Sequence, residues 1–485
     1  MKGALRRLTR SHAGRVGAVT VLGAAARLAL LGYQPLWRDE AFTAVVLRQP
    51  LGHALDAVRA DSAPPLAYLL GHVVAPLWPG PAGLRAVSAL AGTAAIPLGA
   101  ALGRRLGGKR AGLMTAVLLA VSPAFLLGAR DARMYALATT LVLASTLALW
   151  RAVDHPSLRR WLLYSAVTAL ALYTSYFAVI AVVAQLVAVA VVLRPRWRPW
   201  FAAAAAAGCA GLSLIPWLIA ARSQFTHASA PFWVAPVSFK SAGGELVQML
   251  SGPPVDSWVP AAKVLWTLQG LAVAAAVAAA FALVVRWRTL SAAEQRAAAF
   301  CAVCGGGAIL LFFPLSLWRP LIDGRYASVV WGPLFPILGA GLALISVRGL
   351  VALLLAVTVA ASATLCVIVT HPQTPLAVAA LQRQVSPGDL VAAYPSQYLL
   401  LLYYGDPALV ERTRVVARGV NWFWGTAAYP PGAIIPAVPG EVTRVYYVSQ
   451  PDDPPPPAHI ATGYRRSAIR CWTGVCVTAY SRPAR

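Results

Sequence analysis

The sequence predicts an all-α polytopic membrane protein of about eleven transmembrane helices, followed by a small α/β domain outside the membrane. Three observations predict it. Hydrophobic residues make up 59% of the 485-residue chain and charged residues only 12%, well below the roughly 25% charged residues of a soluble domain. Apolar runs long enough to cross about 30 Å of hydrocarbon recur from near residue 16 to near residue 370. From residue 371 the composition turns proline-rich and polar, with short strand-like runs between turn signals. The same composition excludes disordered, collagen-like and disulfide-dense classes, the last because the chain holds only six cysteines.

The apolar runs lie near 16–33, 85–103, 111–128, 134–150, 161–193, 200–220, 262–285, 297–318, 327–346 and 349–370. The 161–193 run is too long for one helix and divides near Tyr173–Phe177. A basic start (Lys2, Arg6, Arg7, Arg10, Arg15) leads into a full-length span and reads as an uncleaved anchor. Residues 66–78 are apolar but short, and if they crossed, every later loop would change sides. Loop charge decides. With 66–78 lying on the outer surface, 19 basic residues face the cytoplasm against two acids, Asp154 and Glu294, as the orientation rule requires. The N-terminus is then cytoplasmic in a plasma-membrane protein, and a long first outer loop spans 34–84. Fourteen of the 16 acids fall outside, eight in loops and six in the tail, so chemistry is expected there.

The chain divides into a transmembrane part, 1–370, and an extracytoplasmic part, 371–485. In the latter, strands are predicted at 390–394, 398–404, 445–449 and 475–480. Cys471 and Cys476 are spaced either for a disulfide or as two buried thiols, while Cys209, Cys301, Cys304 and Cys366 lie in spans as small packing residues. The net charge of +25 is explained by cytoplasmic loops, and no motif points to nucleic acid. Arg27 stands out as a charge within the first span.

Three outer loops pair arginine with acid at the membrane edge: Trp37-Arg38-Asp39-Glu40, Arg130-Asp131-Ala132-Arg133-Met134-Tyr135, and Arg319 to Tyr326 with Asp323 and Arg325. Each alone reads as a helix cap or a local ion pair. Together they suit an anionic, lipid-linked substrate, since guanidinium forks match phosphate oxygens and a carboxylate can take a proton.

These pieces, with Asp61-Ser62-Ala63-Pro64-Pro65-Leu66-Ala67-Tyr68, Leu84-Arg85-Ala86-Val87-Ser88, Tyr173-Thr174-Ser175-Tyr176-Phe177 and Gly324-Arg325-Tyr326, resemble the polyprenyl-phosphate-sugar-dependent glycosyltransferases of the GT-C fold. The likeness is to the family 39-like group that includes the aminoarabinose and rhizobial lipid A sugar transferases. It covers roughly the first 330 residues by order and spacing. Departures are Ala63 and Ser175 where the group often has histidine, and Asp131 where it often has glutamate. The resemblance implies a membrane glycosyltransferase that moves a sugar from a polyprenyl-phosphate carrier to a lipid, polysaccharide or protein acceptor with inversion. It implies Asp39 as base, supported by Glu40 and Asp131. Arg133, Tyr135 and Arg325, with Arg319, Lys240 and Arg38, would hold the substrate. No cofactor is required, and a divalent cation is allowed but not indicated. The rivals are a lipid or polysaccharide transporter or flippase, which needs broken helices and mid-membrane charge, and a non-catalytic scaffold of the same fold.

Overall fold

A computed structural model describes residues 11–192, 197–229, 234, 236, 238–252 and 255–483. The basic start before Ser11, together with Arg194 and Arg196, lies outside the described residues. Helices dominate up to Val367, and a six-stranded sheet follows.

The first helix, His12–Leu28, is capped by the Ser11 hydroxyl, which accepts from the Gly14 N–H. The first outer loop is itself helical, with segments Arg38–Leu47, Leu51–Ala60 and Leu66–Val74. The next helix runs Pro81–Val121 but carries non-helical backbone at Gly107 and Gly108, the latter with φ +64°, a left-handed conformation that glycine adopts without a Cβ clash. There the chain folds back on itself. A Cβ at Gly99 would lie 2.2 Å from the Leu119 side chain, and one at Gly103 would lie 2.2 Å from the Thr115 hydroxyl. Glycines let the two halves approach to backbone distance, so the two predicted spans form an antiparallel hairpin.

Tyr135–Asp154, Leu158–Thr174 and Ala178–Val192 follow, and the break between the last two falls at Ser175–Phe177 as expected from length. Then come Trp197–Ala220, Ala262–Val285, Ala292–Trp318 and Arg348–Val367, with a pair, Gly324–Trp331 and Leu334–Leu344, bent by 69°. Among the described residues six helices are long and apolar enough to cross a membrane, seven if the bent pair is one span. His12–Leu28 has 17 residues and Ala178–Val192 has 15, short of the ~20 that a bilayer asks of a helix. The chain is a multi-pass membrane protein.

Ion pairs fix which loops share a side. Arg105 pairs with Asp154, and Arg110 donates to the Ile345 carbonyl, joining loops assigned to the cytoplasm. At the other end Trp37 Nε1 lies 3.1 Å from Asp131 and Arg325 lies 3.1 Å from Asp39. The first, second and late outer loops therefore lie on one side, and 66–77 does not cross.

The tail packs on that side. Its sheet runs β3(Ile434–Ile435)-β2(Thr413–Val416)-β1(Leu390–Ala393)-β4(Arg444–Ser449)-β6(Val475–Ser481)-β5(Arg465–Trp472). The β3, β2, β1 and β4 strands are parallel, while β6 runs antiparallel to β4 and β5. Residues 398–404, expected as a strand, belong instead to the helix Pro395–Tyr404. Proline at its first turn starts it, and its residues 396–401 are all buried, so no two-residue alternation marks a face. A Cys471–Cys476 disulfide closes the β5–β6 hairpin.

Sidedness can be tested by thiol labelling. In whole cells Asp56→Cys, on the exposed face of the first outer loop, should react with a membrane-impermeant maleimide. Arg159→Cys, at the start of Leu158–Thr174, should react only after permeabilisation. The opposite pattern would invert the molecule.

Candidate functional site

The Arg38–Leu47 helix turns about 100° per residue, so the adjacent acids at its start point apart. Glu40 points inward and is fully buried, as is Arg85, 0% and 1% exposed. Arg85 grips it as a fork, Nε to Oε1 and Nη2 to Oε2, both at 2.6 Å. The Ala132 N–H also donates to Oε1 at 2.9 Å. Arg85 spends its remaining donors on the carbonyls of Leu31, Gln34 and Pro35. Burial raises the Glu40 pKa, but Arg85 outweighs it and holds the carboxyl low. Glu40, expected to support Asp39, is enclosed by these donors. Its oxygens are committed, and it ties the first outer loop to the second.

Asp39 points the other way, its side chain one-fifth exposed. Oδ1 accepts from Arg38 Nε at 3.0 Å and Oδ2 from Arg325 Nη1 at 3.1 Å. Arg133 Nη1 reaches the Asp39 carbonyl at 3.5 Å and the Tyr68 hydroxyl at 3.3 Å. Burial pushes the Asp39 carboxyl up, yet Arg38, Arg325 and Arg133 outweigh it and hold it down at about 2. Arg325 is itself aimed by Asp323, which accepts from its Nε at 3.1 Å and caps the Gly324–Trp331 helix by accepting the Arg325 N–H.

Asp131 has the opposite electrostatics. Burial and the nearby Glu40 push its carboxyl up to about 7, although the Trp37 N–H and Arg133 favour its ionised form. The Trp37 ring lies between the two acids' environments, with the Arg325 guanidinium 5.2 Å from its centre. Asp61, buried and also raised by burial, faces Arg133. Tyr135 is buried, 6.3 Å ring to ring from Tyr326, which stacks on Phe177 at 4.8 Å.

Asp39, Arg38, Arg133 and Arg325 thus form one polar cluster at the loop end of the bundle, with Asp131 bonded to the neighbouring Trp37. Arg319 caps the C-terminal end of the preceding helix, and the Lys240 side chain lies outside the described residues. Asp61, Tyr68 and Trp37 were not singled out from sequence, although all three stand in the motif pieces quoted above. The Ser175-Tyr176 motif is a strut. Tyr176 OH donates to Gln224 at 2.7 Å, and Gln224 donates to the carbonyls of Val58 and Ala63, so Ala63 is held by its backbone. Arg27, suspicious within a span, donates to the carbonyls of Gly23, Leu119 and Ala120. Among the described residues no three His, Cys, Asp or Glu side chains could hold a metal ion.

Residues 62–220 match the family model described as dolichyl-phosphate-mannose-protein mannosyltransferase. That segment contains Tyr68, Arg85, Asp131 and Arg133 but neither Asp39 nor Arg325. No curated protein sequence matches the chain. In three dimensions it is similar to ArnT from Cupriavidus metallidurans bound to undecaprenyl phosphate, with a TM-score of 0.63 over 97% of this chain and 98% of that one at 15% identity. The apo form of that ArnT gives 0.52 over 96% and 98% at 16% identity. The oligosaccharyltransferase of Archaeoglobus fulgidus in the apo form gives 0.50 at 12% identity, over 85% of this chain and 63% of that one. The chain has the GT-C fold that the sequence resemblance implied.

Two outcomes are expected from this geometry. Arg85→Leu leaves Glu40 charged and unpaired in the interior and should destabilise the protein by roughly 3–5 kcal/mol, with Glu40→Leu recovering much of the loss in the double variant, read by detergent-solubilised thermal unfolding. Asp131→Asn should behave in the opposite sense. An acid whose pKa is raised on folding binds more protons folded than unfolded, so its ionisation erodes stability as pH climbs from its ordinary carboxylate value to about 7. The amide should therefore raise the unfolding midpoint at about pH 8 and leave it little changed at about pH 4.

Proposed function

We propose that the protein is an integral membrane glycosyltransferase that moves a sugar from a polyprenyl-phosphate carrier to an acceptor hydroxyl at the outer face of the plasma membrane. The observation that carries the reading is a carboxylate, Asp39, held at 3.0 and 3.1 Å by two guanidiniums where the first and late outer loops meet, with a third, Arg133, alongside. The match to a lipid-phosphate-sugar transferase family and the likeness to an ArnT that holds undecaprenyl phosphate support it.

The chemistry follows from the charges. The donor links sugar and polyprenol through a phosphodiester; when the sugar is transferred the carrier departs as polyprenyl phosphate, a leaving group that needs cationic stabilisation rather than a strong acid. Arg325 and Arg133 supply it. Asp39 accepts the acceptor's proton as its oxygen attacks the anomeric carbon, the C–O bond to phosphate breaks, and the electron pair leaves with the phosphate. One displacement inverts the anomeric centre, in contrast to the two-step covalent route of retaining glycosidases.

A carboxylate held at about 2 is a weak base. The anionic donor corrects this. As its phosphate takes the forks of Arg325 and Arg133, their positive potential on Asp39 is neutralised and its proton affinity rises. Donor binding arms the base, and Asp39 keeps the arginines charged and aimed until then. Asp131, bonded to Trp37, shapes the same field from the far side and supports acceptor binding.

Purified protein incubated with labelled polyprenyl-phosphate sugar and membrane extract should transfer label. Asp39→Asn, near-isosteric, should lower transfer by roughly 10²–10⁴-fold while folding normally. Arg325→Lys keeps charge but loses the fork and should raise the donor KM more than it lowers kcat. Equal transfer by wild type and Asp39→Asn would remove Asp39 from the mechanism.

A further inference from the structure

The tail contains a second cavity that the transfer reading does not use. It opens at the carboxyl ends of the parallel strands β1 and β2, where ligand crevices of open α/β sheets form, and measures about 280 Å³. That is near the lower bound of ~300–1,000 Å³ for small-molecule sites, room for a sugar ring and not for a lipid chain. Its floor is strand backbone ending at Ala393 and Ala417, and its walls include Tyr394, Trp424, Asn421 and Pro455.

Each wall is held in place. Pro455 belongs to the Pro-Asp-Asp-Pro-Pro-Pro-Pro run of 451–457, a stiff segment by its fixed φ angles. Asp453 pins this run by accepting from the Ser396 hydroxyl at 2.8 Å and the Gln450 N–H at 2.7 Å. Trp424 stands edge-on to Tyr394, 5.6 Å between centres. The turn that carries it closes at Gly425, whose φ is +76° and where a Cβ would lie 2.9 Å from the Phe42 ring. Asn421 precedes this turn in the N-cap position, yet its exposed side chain makes no capping bond, and it lines the crevice.

A chain of contacts joins the crevice to Asp39. Trp424 carries the Arg38 guanidinium 4.7 Å from its ring centre, and Arg38 holds Asp39 at 3.0 Å. An aromatic face, a free carboxamide and a rigid shell are what a pyranose asks for, with its C–H face on the ring and its hydroxyls toward the amide. We infer that this tail crevice is a carbohydrate-binding subsite for the sugar portion of the acceptor, seated so that Trp424 and Arg38 lie between it and Asp39. The acceptor would then be a glycan or glycolipid rather than a bare peptide. This deepens the transferase reading and rests on it for the acceptor role, though sugar binding at the crevice stands separately.

The test uses full-length protein in lipid nanodiscs. Saturation-transfer NMR with methyl pyranosides of glucose, galactose, mannose and N-acetylglucosamine should show transfer to at least one, in wild type and equally in Asp39→Asn. Ala417→Trp, which fills the crevice from a half-buried strand end, and Asn421→Leu, at an exposed position, should each cut that signal. In the transfer assay both should raise the acceptor KM by about tenfold, the scale of one lost contact, with the donor KM unchanged. No signal in wild type, or undiminished signal in both filled variants, overturns the subsite. Unchanged acceptor KM in both overturns its acceptor role. Pyranoside binding by a wild type that transfers no sugar would sink the transferase reading while supporting the carbohydrate site.

Discussion

The buried fork between Arg85 and Glu40 is the constraint on which the site depends. A fully enclosed ion pair is a poor source of stability, because desolvating both charges costs several kcal/mol each before any attraction is counted. What it supplies is phase and position. With Glu40 locked inward, residue 39 must face outward and residue 38 sideways, and with Oε1 shared between Arg85 and the Ala132 N–H, the second outer loop is brought against the first. Asp131 and Arg133 flank that anchored residue. Two loops far apart in sequence thereby present their acids and arginines to one pocket.

Arginine serves two separate purposes here. Arg27, Arg85 and Arg130 all bond to carbonyls at helix ends and bends. Arg130 takes those of Ala26, Ala29 and Leu30, where Leu30 has φ +54° and the first helix has come undone. At a membrane edge water is scarce and an unbonded carbonyl is costly, and a planar five-donor group satisfies several at once. Arg38, Arg133 and Arg325 instead converge on Asp39. Arg38 and Arg325 reach its carboxylate, and Arg133 its backbone carbonyl and the Tyr68 hydroxyl.

Much of the arrangement was legible in the sequence, and the parts that were not fail for identifiable reasons. Periodicity and length placed the helices, including the division at Ser175–Phe177, and loop charge kept 66–78 on the surface. Sequence could also collect Asp39, Asp131 and Arg325 as a set. The resemblance pointed to Asp39 over Glu40, but the residues themselves gave no physical reason, because neighbours on a helix face different ways and nothing local says which faces in. The partner that decides, Arg85, is 45 residues away. Trp424 was invisible as a wall of the pocket, since its position depends on how the tail docks. The helix at Pro395–Tyr404 was misread because it is buried all round. Its proline was the available signal.

The bent pair is where the transporter reading would have to find support, since broken spans with polar backbone at mid-membrane are a transporter's hallmark. The break falls at Gly332-Pro333, and proline explains it locally. Around it pack Phe125, Trp331 and Phe335, with Phe125 and Phe335 5.0 Å apart and Trp331 and Phe335 6.0 Å apart. The bend has an effect of its own. It turns the short Gly324–Trp331 segment so that its capped first turn, with Asp323 and Arg325, meets Asp39. A straight continuation of the Leu334–Leu344 axis would direct that turn elsewhere by 69°. The bend therefore brings Asp323 and Arg325 to the first outer loop, where Arg325 pairs with Asp39.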